Sequence, residues 1–230
     1  MGEGMKKRYY SAVIFDVDGL LLDTERLMLE IWKKTSTEYG FNFPDDLYES
    51  MIGRTFRDSQ DLLNDAFGPD FPVSEAYEKR TQYFLEYAHK NGLPQKIGVD
   101  EILDYLESIN VPVCIATSAS ADIAALKIDR GGLSERFDKI VCGDDVSVGK
   151  PSPEIFIKAA DLLQIPPEKC IVLEDSVAGI FAAKLANTIP IMVPDIVYPE
   201  PDVKKMALAV LHSLRMAKNF IENNMAYKSH

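Results

Sequence analysis

Five short runs made wholly of apolar residues constrain this chain more than any other feature: Ala12 to Phe15, Val111 to Ala116, Ile140 to Cys142, Cys170 to Leu173 and Ile189 to Val193. Apolar runs of that length, without polar alternation, suit strands covered on both faces, as in a parallel sheet. Between them, Ile102, Leu103, Leu106 and Ile109, and then Ile155, Phe156, Ala159 and Leu163, recur at helical spacing. Strand followed by helix, repeated, predicts an α/β fold with a doubly wound parallel sheet.

One interval breaks the rhythm. Asp16 and Val111 are separated by far more chain than the roughly 30 residues of a simple βαβ unit. The excess carries Leu27, Ile31 and Trp32, then Phe56, Leu62, Leu63 and Phe67, then Tyr77, Tyr83, Phe84 and Tyr87. It is too apolar and too periodic for a structureless loop. The expectation is an inserted α-helical cap domain over residues 24–95, with residues 1–23 and 96–230 forming the catalytic core. Gly40, Gly53, Gly68-Pro69 and Asn91-Gly92 mark the stops between its helices. The tail from about Asp202 to Asn224 reads as helical, with Leu208, Leu211, Leu214 and Phe220 on overlapping faces.

A formal charge of −11 repels DNA, RNA and anionic membranes, so no nucleic-acid partner is expected and an anionic substrate needs local positive charge. No apolar stretch approaches the roughly 20 residues of a membrane span, and Met1 to Tyr10 lacks the apolar core of a secretion signal. The expectation is a cytoplasmic protein, monomeric and away from membranes. Cys114, Cys142 and Cys170 lie in apolar runs without a C-x-x-C pair and read as buried reduced thiols. His89 and His212 fall in helical stretches and His230 ends the chain, so no zinc constellation forms.

Polar groups directly follow the apolar runs: Asp16 and Asp18, then Thr117 and Ser118, then Lys150, then Glu174 and Asp175. In an open parallel sheet such positions share the edge where ligands bind. Asp16 and Asp18, two apart in extended chain, point to one side with Cα atoms roughly 6 to 7 Å apart. A magnesium ion would relieve their repulsion while bridging phosphate oxygens, although a surface acid pair or turn would look the same. Glu174 and Asp175 add a second acidic pair, and Asp175 or Ser176 can equally cap the following helix. Thr117 and Ser118 offer donors at a helix start, and Lys150 offers a point charge before Pro151-Ser152-Pro153. N-capping alone would account for Thr117 and Ser118.

Their order and placement together fit one phosphate site. The motifs Phe15-Asp16-Val17-Asp18-Gly19-Leu20, Ala116-Thr117-Ser118, Gly149-Lys150-Pro151 and Leu173-Glu174-Asp175-Ser176-Val177-Ala178-Gly179 resemble those of the haloacid dehalogenase-like hydrolase superfamily over nearly the whole chain. The resemblance implies a Rossmann-like core with a helical cap, and Mg2+ held by the Asp16 carboxylate, the Asp18 carbonyl and Asp175, with Glu174 direct or through water. It implies that Thr117, Ser118 and Lys150 hold the transferring phosphoryl group, assisted by backbone N–H groups near Asp18 and Ala119.

The expected activity is a Mg-dependent phosphatase acting on a small phosphorylated metabolite through an aspartyl phosphate on Asp16. Asp18 would be general acid and base, its pKa raised in the closed, dry site. Halide expulsion needs no proton donor, so Asp18 argues for phosphate esters. The alternative is a β-phosphoglucomutase-like phosphomutase. Sequences of that kind carry a histidine and a lysine where Met28 and Ile52 stand here, whereas Leu21-Leu22-Asp23-Thr24-Glu25 resembles small-metabolite phosphatases. A receiver-type signalling domain shares the acids, hydroxyl and lysine but gives no reason for the cap. A P-loop fails on spacing, and neither G-x-S-x-G nor G-x-G-x-x-G is present. In the cap, Gly53 permits a sharp turn and Arg54 would contact the substrate beyond the phosphorylated oxygen, or else remain a solvated charge, with Arg57 nearby.

Overall fold

The computed structural model describes residues 8–229; Met1 to Lys7, part of the segment read for a secretion signal, and His230 lie outside the described residues. A six-stranded sheet runs through the centre, built from β2 (Ala12–Phe15), β3 (Val113–Ala116), β4 (Ile140–Val141), β5 (Cys170–Glu174), β6 (Ile189–Met192) and β7 (Ala209–Val210). All its pairings are parallel, in the order β4-β3-β2-β5-β6-β7. Each residue of β2 and β5 is buried, as uninterrupted apolar runs require when helices cover both faces. From β2 the order runs one way to β3 and the other way to β5. The carboxyl end of β2 is therefore the switch point where a crevice opens.

Helices α5 (Val99–Ser108), α6 (Ala121–Arg130), α7 (Glu154–Leu163) and α8 (Val177–Leu185) flank the sheet. Ile155, Phe156, Ala159, Ala160 and Leu163 pack α7 on one face beside Ile14 and Val172. Ile102, Leu103 and Leu106 of α5 join Val13 and Phe15 on the other. The three cysteines are buried, free thiols.

Between β2 and α5 the chain makes α1 (Glu25–Glu38), α2 (Asp45–Met51), α3 (Phe56–Phe67) and α4 (Val73–Asn91). Aromatic contacts bind this layer: Trp32 stacks on Phe43 with ring centroids 5.3 Å apart, and Phe56 stacks on Tyr77. The outgoing and returning segments run side by side, with Asp23 N donating to Pro94 O at 2.8 Å and Lys96 N to Leu21 O at 2.9 Å.

The C-terminal reading needs correction. The tail is not continuously helical: α9 (Pro201–Lys204) is followed by β7 and only then by α10 (Leu214–Asn224). The exposed edge of β6 left backbone groups to pair, and Leu208 N donates to Pro190 O while Leu211 N donates to Met192 O. His212 accordingly sits between β7 and α10, not in a helix. A second, two-stranded sheet joins β1 (Arg8–Tyr10) to β8 (Met225–Tyr227). No described helix is long and apolar enough to cross a membrane.

Candidate active site

Lys150 is the centre of charge. Its ammonium, with no exposed surface, donates to Asp16 Oδ1 at 2.5 Å, to Glu174 Oε1 at 2.6 Å and to Ala116 O at 3.3 Å. β2 delivers Asp16, β5 ends on Glu174, and the loop before α7 brings Lys150 across beneath them. Glu174 is fixed further by Ser176, whose N–H and hydroxyl donate to Oε2 at 2.7 and 2.9 Å. Ser176 is also the N-cap of α8, accepting from Gly179 N at 2.9 Å. The capping and acidic readings of this motif therefore coexist.

Asp16, Glu174 and Asp175 bring ligand oxygens within 4.8 Å of one another. Three buried carboxylates around one ammonium leave excess negative charge. Burial, against the pull of Lys150 and helped by Glu174, pushes Asp16 up to about 7. Burial and then Glu174 push Asp175 well up, and among the described residues its carboxylate has no hydrogen bond or ion pair. Burial alone would lower Lys150, but Asp16 and Glu174 outweigh it and hold the amine protonated. A cluster of hard oxygens short of positive charge fits a divalent cation.

Asp18 lines the same cavity as Asp16 but has different partners. Lys127 Nζ donates to both of its oxygens, and Thr24 Oγ1 donates to Oδ1 at 2.5 Å. Burial pushes Asp18 up, but Lys127 and then Thr24 prevail, and the carboxyl lies below the usual range. The rise expected from the sequence is thus reversed, because Lys127 of α6 supplies a cation that was not foreseen.

A cavity of about 110 Å3 opens between the strand ends and the helical layer, lined by Asp16, Asp18, Thr117, Ser118 and Ala119 below and by Trp32, Tyr48, Tyr77 and Arg80 above. Two of the expected donors are engaged: Ser118 Oγ donates to Gly53 O at 2.8 Å, and Ala119 N donates to Thr117 Oγ1 at 3.2 Å. Arg54 lines the cavity while its Nε donates to Ser50 O at 2.9 Å. Arg57 instead donates to Ser147 O at 3.1 Å, joining α3 to the loop before α7. Met28 and Ile52 both line the cavity and are buried.

Sequence reasoning missed Lys127, Arg80 and the buried pair in which Tyr48 donates to Glu25 Oε2 at 2.5 Å. Lys127 looks like an ordinary basic residue in a helix's last turn, and Arg80 lies mid-helix in a polar stretch. Only Thr24-Glu25, beside the first acidic motif, offered a local signal.

Residues 13–193 match the family of haloacid dehalogenase-like hydrolases. The phosphorylated carbohydrates phosphatase of Thermotoga maritima is 35% identical over 76% of this chain and 81% of its own length. A hydrolase from Pseudomonas syringae superposes with a TM-score of 0.83 at 25% identity, covering 94% of this chain and 100% of that one. A β-phosphoglucomutase from Clostridium difficile superposes at 0.80 with 24% identity, covering 94% and 96%, a likeness of fold alone. The chain is an enzyme, a phosphoric monoester hydrolase. It belongs to the haloacid dehalogenase-like hydrolases.

Proposed function

We propose that this protein is a Mg2+-dependent phosphatase of a small phosphorylated metabolite, a sugar phosphate or similar compound, working through an aspartyl phosphate. The observation that carries the reading is Asp16, only 6% exposed, at the floor of the cavity with Lys150 at 2.5 Å and two further carboxylates beside it. The Thermotoga maritima relative, a phosphatase of phosphorylated carbohydrates, supports the substrate class.

In this reading an Asp16 oxygen attacks phosphorus as the bond to the leaving oxygen breaks, and Asp18 gives that oxygen a proton. Asp18 then takes a proton from water, whose oxygen attacks phosphorus and frees Asp16 and inorganic phosphate. Lys150 holds charge against both Asp16 and the phosphoryl oxygens. Thr117, Ser118 and the Ala119 N–H are the proposed phosphoryl contacts, once their internal hydrogen bonds are exchanged. Asp16, the Asp18 carbonyl, Asp175 and Glu174 are the proposed holders of Mg2+, which would supply the missing positive charge and lower the pKa of Asp16.

Residues 24–95 are the proposed cap over a core of residues 1–23 and 96–230, with Arg54 contacting the leaving group. A monomer is the proposed state, and three free buried thiols support a reducing, cytoplasmic setting. Apolar Met28 and Ile52 in the cavity favour hydrolysis over a phosphomutase reading. The test is rapid-quench turnover of a chromogenic aryl phosphate. A burst of phenol equal to the enzyme, lost in Asp16→Asn and on chelation, is expected; full activity in either case would overturn the mechanism.

A further inference from the structure

The upper wall of the cavity holds a cation that the phosphoryl chemistry does not use. Arg80, on α4, places its guanidinium carbon 5.0 Å from the Tyr77 ring centroid and 5.8 Å from that of Trp32. Its Nε is buried without a hydrogen-bond partner, and among the described residues Arg80 makes no ion pair. The neighbouring basic groups are committed elsewhere: Lys127 to Asp18, Lys150 to Asp16 and Glu174, and Arg54 Nε to Ser50 O.

Arg80 is half-buried, yet leaving its buried Nε–H without a partner is costly, and aromatic faces offset only part of that cost. The nearby carboxyls make their direct contacts with other groups. Asp18 is held on both oxygens by Lys127, and Glu25 accepts from Tyr48. A planar fork of N–H donors at the cavity wall matches a carboxylate or phosphate in a way that a hydroxyl does not. A cavity of about 110 Å3 is also well below the roughly 300 to 1,000 Å3 of drug-sized sites, which favours a compact leaving group.

We propose that the substrate is a compact phosphomonoester whose leaving group carries a second anionic group, a carboxylate or a second phosphate, and that Arg80 binds that group. This refines, and rests on, the phosphatase reading: the phosphoryl group sits over Asp16 and the second anion beneath Arg80, against Trp32 and Tyr77.

The test compares three ligands on one carbon skeleton: glycerol 3-phosphate, 3-phosphoglycerate and glycerol 1,3-bisphosphate. Binding to the full-length Asp16→Asn protein with Mg2+ is followed through the fluorescence of Trp32, the chain's single tryptophan, so no turnover is needed. One of the two doubly anionic ligands should bind at least ~10-fold more tightly than glycerol 3-phosphate, as expected for a charge-assisted hydrogen bond. Which one gains identifies the second anion. Adding Arg80→Gln should collapse the gap, and Arg80→Lys should restore part of it. Equal affinities for all three ligands, or a gap that persists in Arg80→Gln, would overturn the proposal. The three-ligand ranking in Asp16→Asn alone decides the matter if the Arg80 variants do not fold. Wild-type hydrolysis of p-nitrophenyl phosphate is measured in parallel. Its absence counts against the phosphatase reading, while the binding ranking still decides the role of Arg80.

Discussion

Lys127 Nζ grips both carboxylate oxygens of Asp18, at 2.7 and 2.5 Å, from a helix that begins after the phosphate-side loop. The ammonium lies 5.4 Å from the Phe84 ring centroid, and the side chain of Lys127 is buried while that of Asp18 keeps 23% exposure, so the pair is partly shielded from water and salt. A general acid must carry a proton when the leaving group departs, yet this clamp favours the ionised form. Substrate binding must loosen it, or Asp18 acts only in the fraction of molecules that are protonated.

Lys127→Met therefore raises the pKa of Asp18. Activity that needs the protonated acid falls as pH rises through that pKa, so the descending limb of kcat/KM for an alkyl phosphate should move to higher pH. An aryl phosphate, whose leaving group needs little protonation, should show a smaller displacement. Stability follows the same linkage. A carboxyl depressed by its partner stabilises the fold above its unfolded value of roughly 3.9, and that stabilisation is lost as pH falls through the folded value. Lys127→Met should thus lower Tm at pH 7, with the gap from wild type narrowing in acid. An unmoved limb with both leaving groups would show that Lys127 does not tune Asp18.

Glu25 behaves oppositely. Burial, followed by the charge of Asp18, raises its carboxyl from 4.5 to about 8, against the opposing hydrogen bond from Tyr48. Between those values the folded state binds more protons than the unfolded state, so stability falls as pH rises. Glu25→Gln keeps an acceptor for Tyr48 and removes the titration. In chelator, the decline of Tm between about pH 4.5 and 8 should be shallower in the variant than in wild type. Parallel curves would mean that Glu25 is ionised throughout. Asp16 and Asp175 are raised in the same direction, so a residual slope is expected.

Gly53 marks where the helical layer meets the strand ends. Its φ is +80°, its carbonyl accepts from Ser118 Oγ, and a Cβ there would overlap Ser176 Oγ. Alanine is strained by the backbone angle and also pushes the layer away from the site. Gly53→Ala should cut kcat/KM by about tenfold or more if closure is required, with a smaller change for a generic aryl phosphate than for the native class of substrate. Equal losses for both would place the damage in the phosphoryl site itself.

Much of this arrangement was legible because it depends on local rules. Ala12–Phe15 and Cys170–Glu174 are apolar throughout, so both strands and the acids at their ends could be placed without coordinates. What escaped depends on packing between distant segments. Nothing near Lys127 points to Asp18, more than a hundred residues earlier, and nothing near Arg80 says that its helix roofs a cavity. The two-residue strand Ala209–Val210 escaped because a free sheet edge, rather than local periodicity, decided its conformation.

Gly179 shows how closely the acidic cluster is built. It lies inside α8, where glycine costs roughly 0.8 to 1 kcal/mol relative to alanine. A Cβ there would overlap the Glu174 carboxylate, which is held between Lys150 at 2.6 Å and the Ser176 N–H at 2.7 Å. Helix propensity thus favours Gly179→Ala, while the site opposes it. With Glu174 displaced, Lys150 loses one of its two carboxylate partners and the proposed metal shell loses a member. Gly179→Ala should therefore weaken Mg2+ activation by about 10- to 100-fold, the range found when groups supporting a metal site are removed. Far-UV circular dichroism should remain that of the wild type. Titrating activity against Mg2+ gives the readout: a raised half-saturation concentration with a retained fold is expected, whereas an unchanged Mg2+ dependence would show that Glu174 does not support the metal.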